Sequence, residues 1–257
     1  MKHGRQETLA INGPVMLGFT PGDAVIVTGA ASGIGRATAM NAAAAGLAVA
    51  AWDINGDGAA ATVRGIEQAG GEAVAVTADV TDDDEVAEAL SASATLGVAR
   101  YLVNNAGPAS ATELEFDDAI VTGIGSMRRV ATAWLDRGHQ DEAALVNVAS
   151  VAGNVIGTAP DWYPAIKAGI MGYTRHLAVY RSDVVRANAV APGMTDTPRL
   201  AGFAGSELGQ RVLTRIPLHR MASPDEISWG ILFLLSPLAS YINGILLTVD
   251  GGWTVTQ

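Results

Sequence analysis

The chain has 257 residues, of which 49% are hydrophobic and 16% charged, with no cysteine and a formal net charge of -10. That length suits one large α/β domain able to bury a sizeable core. The missing cysteine excludes disulfides and thiol chemistry and agrees with a cytoplasmic setting, and the acidic balance excludes a nucleic-acid binder or a partner of an anionic membrane surface.

Residues 1–19 read as an N-terminal extension and 20–257 as a single dinucleotide-binding and catalytic domain. Asn12, Gly13 and Pro14 interrupt the apolar part of the extension, which makes it a poor signal peptide. Short β-branched or alanine-rich runs then follow at 24–27, 48–52, 73–77, 101–103, 144–148, 185–190 and 245–248, with helix-length segments between them. Most of these runs lack polar alternation, as parallel strands covered on both faces do. The rhythm predicts a Rossmann-type doubly wound sheet flanked by helices. The alanine-rich run 42–52 is too short to cross a bilayer. Two acidic clusters read as helix starts. Asp82, Asp83, Asp84 and Glu85 follow an N-cap at Thr81, and Ser223-Pro224-Asp225-Glu226 forms a capping box.

The first strand runs directly into Thr28-Gly29-Ala30-Ala31-Ser32-Gly33-Ile34-Gly35 and then a helix. Gly29 permits a tight turn, Gly33 leaves room for a pyrophosphate against backbone N–H groups, and Gly35 allows close helix–strand contact. Ser32 and Ile34 belong to the same cofactor-binding turn. Asp53 closes the second strand, where an acid accepts hydrogen bonds from the adenosine ribose; this predicts NAD rather than NADP. Asp53 also opens a sequence resembling a calcium loop, but Arg64 stands where a bidentate glutamate is needed. His3, His139, His176 and His219 show no metal-ligand spacing, so no metal is expected.

Tyr163 and Lys167 lie four residues apart and share a helix face. A phenol titrates near ~10, and an adjacent ammonium lowers that value, which suits Tyr163 as an acid–base group beside Lys167. Ser150, at the end of a strand, is placed to hydrogen-bond a substrate oxygen. Without a Gly-x-Ser-x-Gly elbow it is a poor hydrolase nucleophile.

These residues, with Asn104-Asn105-Ala106-Gly107, Pro192-Gly193 with Thr197, and Val249-Asp250-Gly251-Gly252, resemble the short-chain dehydrogenase/reductase family in its compact, single-domain branch. The resemblance runs from about Asp23 to Trp253. It implies a seven-stranded parallel sheet, a homotetramer, and catalysis by Ser150, Tyr163 and Lys167. It further implies that Asp79 and Val80 meet the adenine and that Asn105, Ala106 and Gly107 line the adenosine ribose side. Pro192, Gly193, Thr195 and Thr197 would approach the nicotinamide and phosphates. Two positions depart from the family pattern. Ile166 stands where serine usually precedes the lysine, and Gly123 where a helix asparagine is usual. Restoring asparagine at 123 is expected to leave activity similar or modestly higher.

The leading expectation is an NAD-dependent oxidoreductase acting on a small to medium secondary alcohol or ketone. A 3-oxoacyl-carrier-protein reductase would want a basic docking patch and usually NADP, against which the acidic chain and Asp53 weigh. A non-catalytic NAD-binding sensor is the other alternative, favoured by Gly123 alone. The expected substrate wall is Ala152, Asn154, Val155, Trp162, Met194, Leu200 and Phe203, mostly apolar, which suggests a neutral substrate. Arg199 is the nearest cation.

Overall fold

The computed structural model describes residues 17–138 and 143–256. Among them, seven parallel strands form one sheet in the order β3-β2-β1-β4-β5-β6-β7. They are β1 (Ala24–Thr28), β2 (Ala48–Asp53), β3 (Ala73–Thr77), β4 (Tyr101–Asn104), β5 (Ala144–Val148), β6 (Arg186–Pro192) and β7 (Leu246–Val249). Helices α1 (Gly33–Ala44), α2 (Gly56–Gln68), α3 (Asp83–Ser93), α4 (Phe116–Ile120), α5 (Ser126–Leu135), α6 (Trp162–Tyr180), α7 (Glu207–Leu213) and α8 (Pro224–Leu235) surround it. The doubly wound architecture is thus as expected, with strand ends shifted by one or two residues.

The continuous apolar runs have a direct cause. Alternate strand residues point to opposite faces. Val25, Val27, Val49 and Ala51 join a core with α1, α2 and α8. Ile26, Ala50 and Trp52 join a second core with α3 and α5. Both faces are covered, so no polar alternation is left to read. The strand order reverses between β1 and β4, which opens a crevice at their carboxyl ends. Gly29, Asp53, Asn105, Ser150 and Gly193 all lie at or just beyond strand ends on this side.

Leu17 and Phe19 already pack on the core, with the Phe19 ring edge-on to Tyr101 at 5.2 Å. Both residues fall within the expected extension, whose residues 1–16, with His3, lie outside the described residues, as does His139. The α3 cap is Asp82, which accepts from the N–H groups of Asp84 and Glu85, rather than Thr81. The capping box at Ser223 and Glu226 is present. No described helix is long and apolar enough to cross a membrane.

Candidate active site

The glycine turn is held by its neighbours. Gly29 has a φ of +69°, and a Cβ there would lie 2.7 Å from Asn105 Nδ2. That amide donates to the carbonyls of Thr28 (3.0 Å) and Gly29 (3.2 Å). Thr28 Oγ1 accepts from the N–H groups of Asn105 and Ala106, each at 3.0 Å. A Cβ at Gly35 would sit 2.0 Å from the carbonyl oxygen of Gly29, so only glycine lets α1 start this close to β1. Ser32 caps α1 with extended backbone, and its hydroxyl makes no cap bond. Asp53 accepts from the N–H groups of Ala31 and Asn55, both at 2.9 Å, which ties the end of β2 to the turn. In the calcium-like sequence, Asn55 caps α2 by accepting from the Gly58 N–H.

The second half of the site comes from the β5–α6 connection. Asp161 caps α6, placing Tyr163 in its first turn and Lys167 one turn later. The chain after Ser150 folds back at residues 151–156 through Gly153, whose φ is +77°. A Cβ on Gly153 would fall 2.0 Å from the Pro164 carbonyl oxygen, so this loop is pressed directly against α6. Asn154 Nδ2 donates to the carbonyls of Ser150 (2.9 Å) and Lys167 (3.0 Å), joining the segments that carry these two residues. Ser150 Oγ accepts from the Ala152 N–H at 3.1 Å and lies near enough to the Tyr163 hydroxyl to lower its pKa. Lys167 Nζ donates to the Val148 carbonyl at 3.0 Å and stands 5.7 Å from the centre of the Tyr163 ring.

Burial raises the Tyr163 phenol above its ordinary value, against smaller lowering effects from Ser150 and the positive charge of Arg199. Burial, with Arg199, lowers Lys167 to about 8. The tyrosine is therefore protonated at neutral pH. Arg199 is a cation that lowers it, in addition to the lysine expected from sequence, whose Nζ stands over the ring.

A family model described as enoyl-(acyl carrier protein) reductase matches residues 29–254. The chain belongs to the short-chain dehydrogenase/reductase family. It is 37% identical over 246 residues to a cis-4-hydroxycyclohexanecarboxylate dehydrogenase of Sinomonas cyclohexanicum, covering 89% of this chain and 95% of that one. It is 38% identical over 241 residues to the 4-formylbenzenesulfonate dehydrogenase of Comamonas testosteroni, covering 88% and 96%. A solved 7α-hydroxysteroid dehydrogenase, complexed with NADH and 7-oxo glycochenodeoxycholic acid, superposes with a TM-score of 0.83 at 30% identity, covering 90% of this chain and 94% of that one. The family is one of oxidoreductases that bind a nicotinamide cofactor.

In this family member, one cavity of about 200 Å³ reaches from Asp53 to Tyr163. Gly29, Ser32, Gly33, Ile34, Asp53 and Asn105 line one part of it. Ser150, Tyr163, Lys167, Pro192, Gly193, Thr195 and Thr197 line the rest. Five expected cofactor residues are not in its wall. Gly35 serves the helix–strand contact. Asp79 accepts from Thr81 N–H and hydroxyl, and Val80 packs on the second core. Ala106 bonds Thr28, and the Gly107 carbonyl accepts from Arg199. Of the expected substrate wall only Leu200 is present, joined by Ala109, Ser110 and Ala111. Trp162 is 2% exposed and packs with Ile166 and Ile170, so it is core. Arg199 lines the cavity, which weakens the neutral-substrate expectation.

The two family departures meet each other. Between α4 and α5 the helix widens into a π turn at Val121–Gly125. A Cβ on Gly123 would lie 2.5, 2.8 and 3.0 Å from Cδ1, Cγ2 and Cγ1 of Ile166. Conversely, a Cβ on Gly169 would lie 2.8 Å from Ile124 Cδ1. Each isoleucine fills the space over a glycine of the facing element. Asparagine at 123 is therefore not accommodated by itself, contrary to expectation.

Proposed function

We propose that the protein is an NAD-dependent oxidoreductase that moves hydride between a nicotinamide and a small to medium secondary alcohol or its ketone. The observation carrying this reading is the cavity that joins Asp53 and the glycine turn to Ser150, Tyr163 and Lys167. Its residues fit a dinucleotide. Gly29 and Gly33 offer bare backbone, the Ser32 hydroxyl is unused by its own helix, and a carboxylate stands at the far end. Ser32, Gly33 and Ile34 would hold the pyrophosphate. Asp53 would take the adenosine ribose, and Pro192, Gly193, Thr195 and Thr197 would flank the nicotinamide side. The nicotinamide, when bound, supplies or accepts the hydride. Ser150 fixes the substrate oxygen. The Tyr163 hydroxyl gives its proton to that oxygen in reduction and receives it in oxidation. Lys167, anchored on the Val148 carbonyl, would hold the nicotinamide ribose and, once moved nearer the phenol, favour its ionisation.

The relatives named above include proteins named for a hydroxycyclohexanecarboxylate and a hydroxysteroid, so cyclic secondary alcohols and ketones are the first panel to assay. Change in reduced-nicotinamide absorbance reads turnover. Tyr163→Phe should lower kcat by about a hundredfold or more while NADH still binds. Turnover of none of the panel, with NADH bound, would favour the sensor alternative. The homotetramer belongs to the same reading: edge strand β7 is only half-buried, and Tyr241 and Leu238 are exposed. Light scattering should return four times the chain mass.

A further inference from the structure

We propose that Arg199 is an anchor for a carboxylate or sulfonate borne by the substrate. The enzyme would then act on hydroxy or keto acids in which an apolar ring or chain separates the acid from the reacting carbon. This rests on the oxidoreductase reading above and narrows its substrate class.

Three charged side chains line the cavity: Asp53, Lys167 and Arg199. Lys167 is engaged with the Val148 carbonyl. Arg199 has no carboxylate partner among the described residues. Its Nη2 donates to the Gly107 carbonyl at 3.1 Å, reaching from the β6 end of the site to the β4 end. One neutral carbonyl leaves most of the guanidinium donors free, and their planar fork matches two oxygens of an oxyanion. The side chain springs from a short helical turn, Pro198–Leu200, fixed by proline at its start and by the Leu200 N–H donating to Thr197 O at 2.9 Å.

Arg199 is exposed, at the edge of the same cavity that Ser150, Tyr163 and Lys167 line. The Arg199 charge is felt at both the Tyr163 phenol and the Lys167 amine. Leu200, on the same turn, supplies apolar wall beside it, as do Ala109 and Ala111. A substrate anchored by its acid on Arg199 would lay its carbon skeleton along these residues with its oxygen toward Ser150 and Tyr163. The chain's net charge of -10 repels anions at long range. A local unpaired cation is what an anionic substrate would need. A bound cofactor's pyrophosphate would be the other anion in reach of Arg199, and the experiment separates the two.

The test is binding of cyclohexanecarboxylate and of cyclohexanecarboxamide to the NADH-loaded protein, measured by calorimetry, with NADH affinity measured separately. Neither probe needs turnover. The acid should bind at least tenfold more tightly than the amide. Arg199→Met should bring the ratio to within twofold, and Arg199→Lys should keep part of it. A wild-type ratio near one overturns the proposal, as does a ratio that survives in Arg199→Met. Weakened NADH binding with an unchanged acid-to-amide ratio assigns the cation to the cofactor instead. If the ratio collapses in Arg199→Met yet no alcohol or ketone is turned over, the anion site stands and the oxidoreductase reading falls.

Discussion

Gly123→Ala is the most informative perturbation, because geometry fixes what the new methyl meets. It would lie 2.5 Å from Ile166 Cδ1, 2.8 Å from Cγ2 and 3.0 Å from Cγ1. Cδ1 can swing away, but Cγ1 and Cγ2 move together about a stiff χ1. Ile166 is 2% exposed and has nowhere to go. Overpacking of this kind costs about 1–3 kcal/mol. Replacing a helical glycine by alanine returns roughly 1 kcal/mol. Contact with two stiff atoms puts the first figure in its upper half, for a net loss of about 1–2 kcal/mol. Ile166→Ala alone should cost about 3 kcal/mol through the cavity it opens. In the double variant the added methyl enters that cavity and the clash is gone, so the pair should be more stable than the sum of the singles by on the order of 2 kcal/mol. Urea unfolding of the four proteins measures this. Additivity within about 0.5 kcal/mol, or a Gly123→Ala protein at least as stable as the parent, would refute the reasoning. Because Ile166 precedes Lys167, Gly123→Ala should also lower kcat. Gly123→Asn should damage the protein alone and be tolerated with Ile166→Ser.

On the NAD reading proposed above, Asp53→Ala should narrow the preference for NAD over NADP. It removes a like-charge repulsion on the order of 3 kcal/mol per charge pair before solvent screening, and an unchanged kcat/KM ratio for the two cofactors would count against Asp53. It should also loosen the turn, since both carboxylate oxygens hold backbone N–H groups. Lys167 has its folded-state pKa lowered from 10.5 to about 8, so its burial costs stability below about pH 8 and that cost is relieved as pH rises to about 10.5. Wild type should gain on Lys167→Met across this window, on the order of 3 kcal/mol in all, while its reductase rate falls; parallel stability curves would exclude the lysine. Gly153→Ala should abolish activity and lower the melting temperature, because its methyl would occupy the Pro164 carbonyl; a crystal structure with Ser150 and Tyr163 unmoved and full activity would contradict this.

Much of this was legible in the sequence because it is written in local chemistry. The strands appear as unbroken apolar runs because both sheet faces are covered. The Ser223 capping box is a four-residue signal and is realised as such. Gly29, Gly33, Asp53, Ser150, Tyr163 and Lys167 lie at strand ends or in the first two turns of helices, so the fold class alone brings them together. What escaped was set by packing between distant segments. The clamp on Ser150 and Lys167 depends on Asn154 reaching a carbonyl 13 residues further along the chain. The Gly123–Ile166 contact pairs two positions that look like independent losses when read one at a time. Trp162 beside the catalytic tyrosine reads equally as wall or core, and only the direction of its side chain decides. Arg199 needed the β6 and β4 ends brought face to face.

The proton inventory of the site sets the direction in which it is poised. Burial pushes Tyr163 and Lys167 toward their neutral forms from opposite sides, raising one and lowering the other to about 8. The lysine spends its nearest contact on the Val148 carbonyl rather than on the phenol. Tyr163, raised by burial, is protonated at neutral pH and faces Ser150, and a protonated phenol is what a carbonyl reduction consumes. Oxidation needs the phenolate, and the phenolate needs positive charge close by. Arg199 supplies some of that charge. An anionic substrate seated on Arg199 would neutralise it and hold Tyr163 protonated more firmly still. Acid-bearing substrates should thus shift the pH dependence of oxidation upward relative to their neutral amides. Measuring the oxidation profile for a hydroxy acid and its amide side by side checks this, and coincident profiles would detach Arg199 from the chemistry of Tyr163.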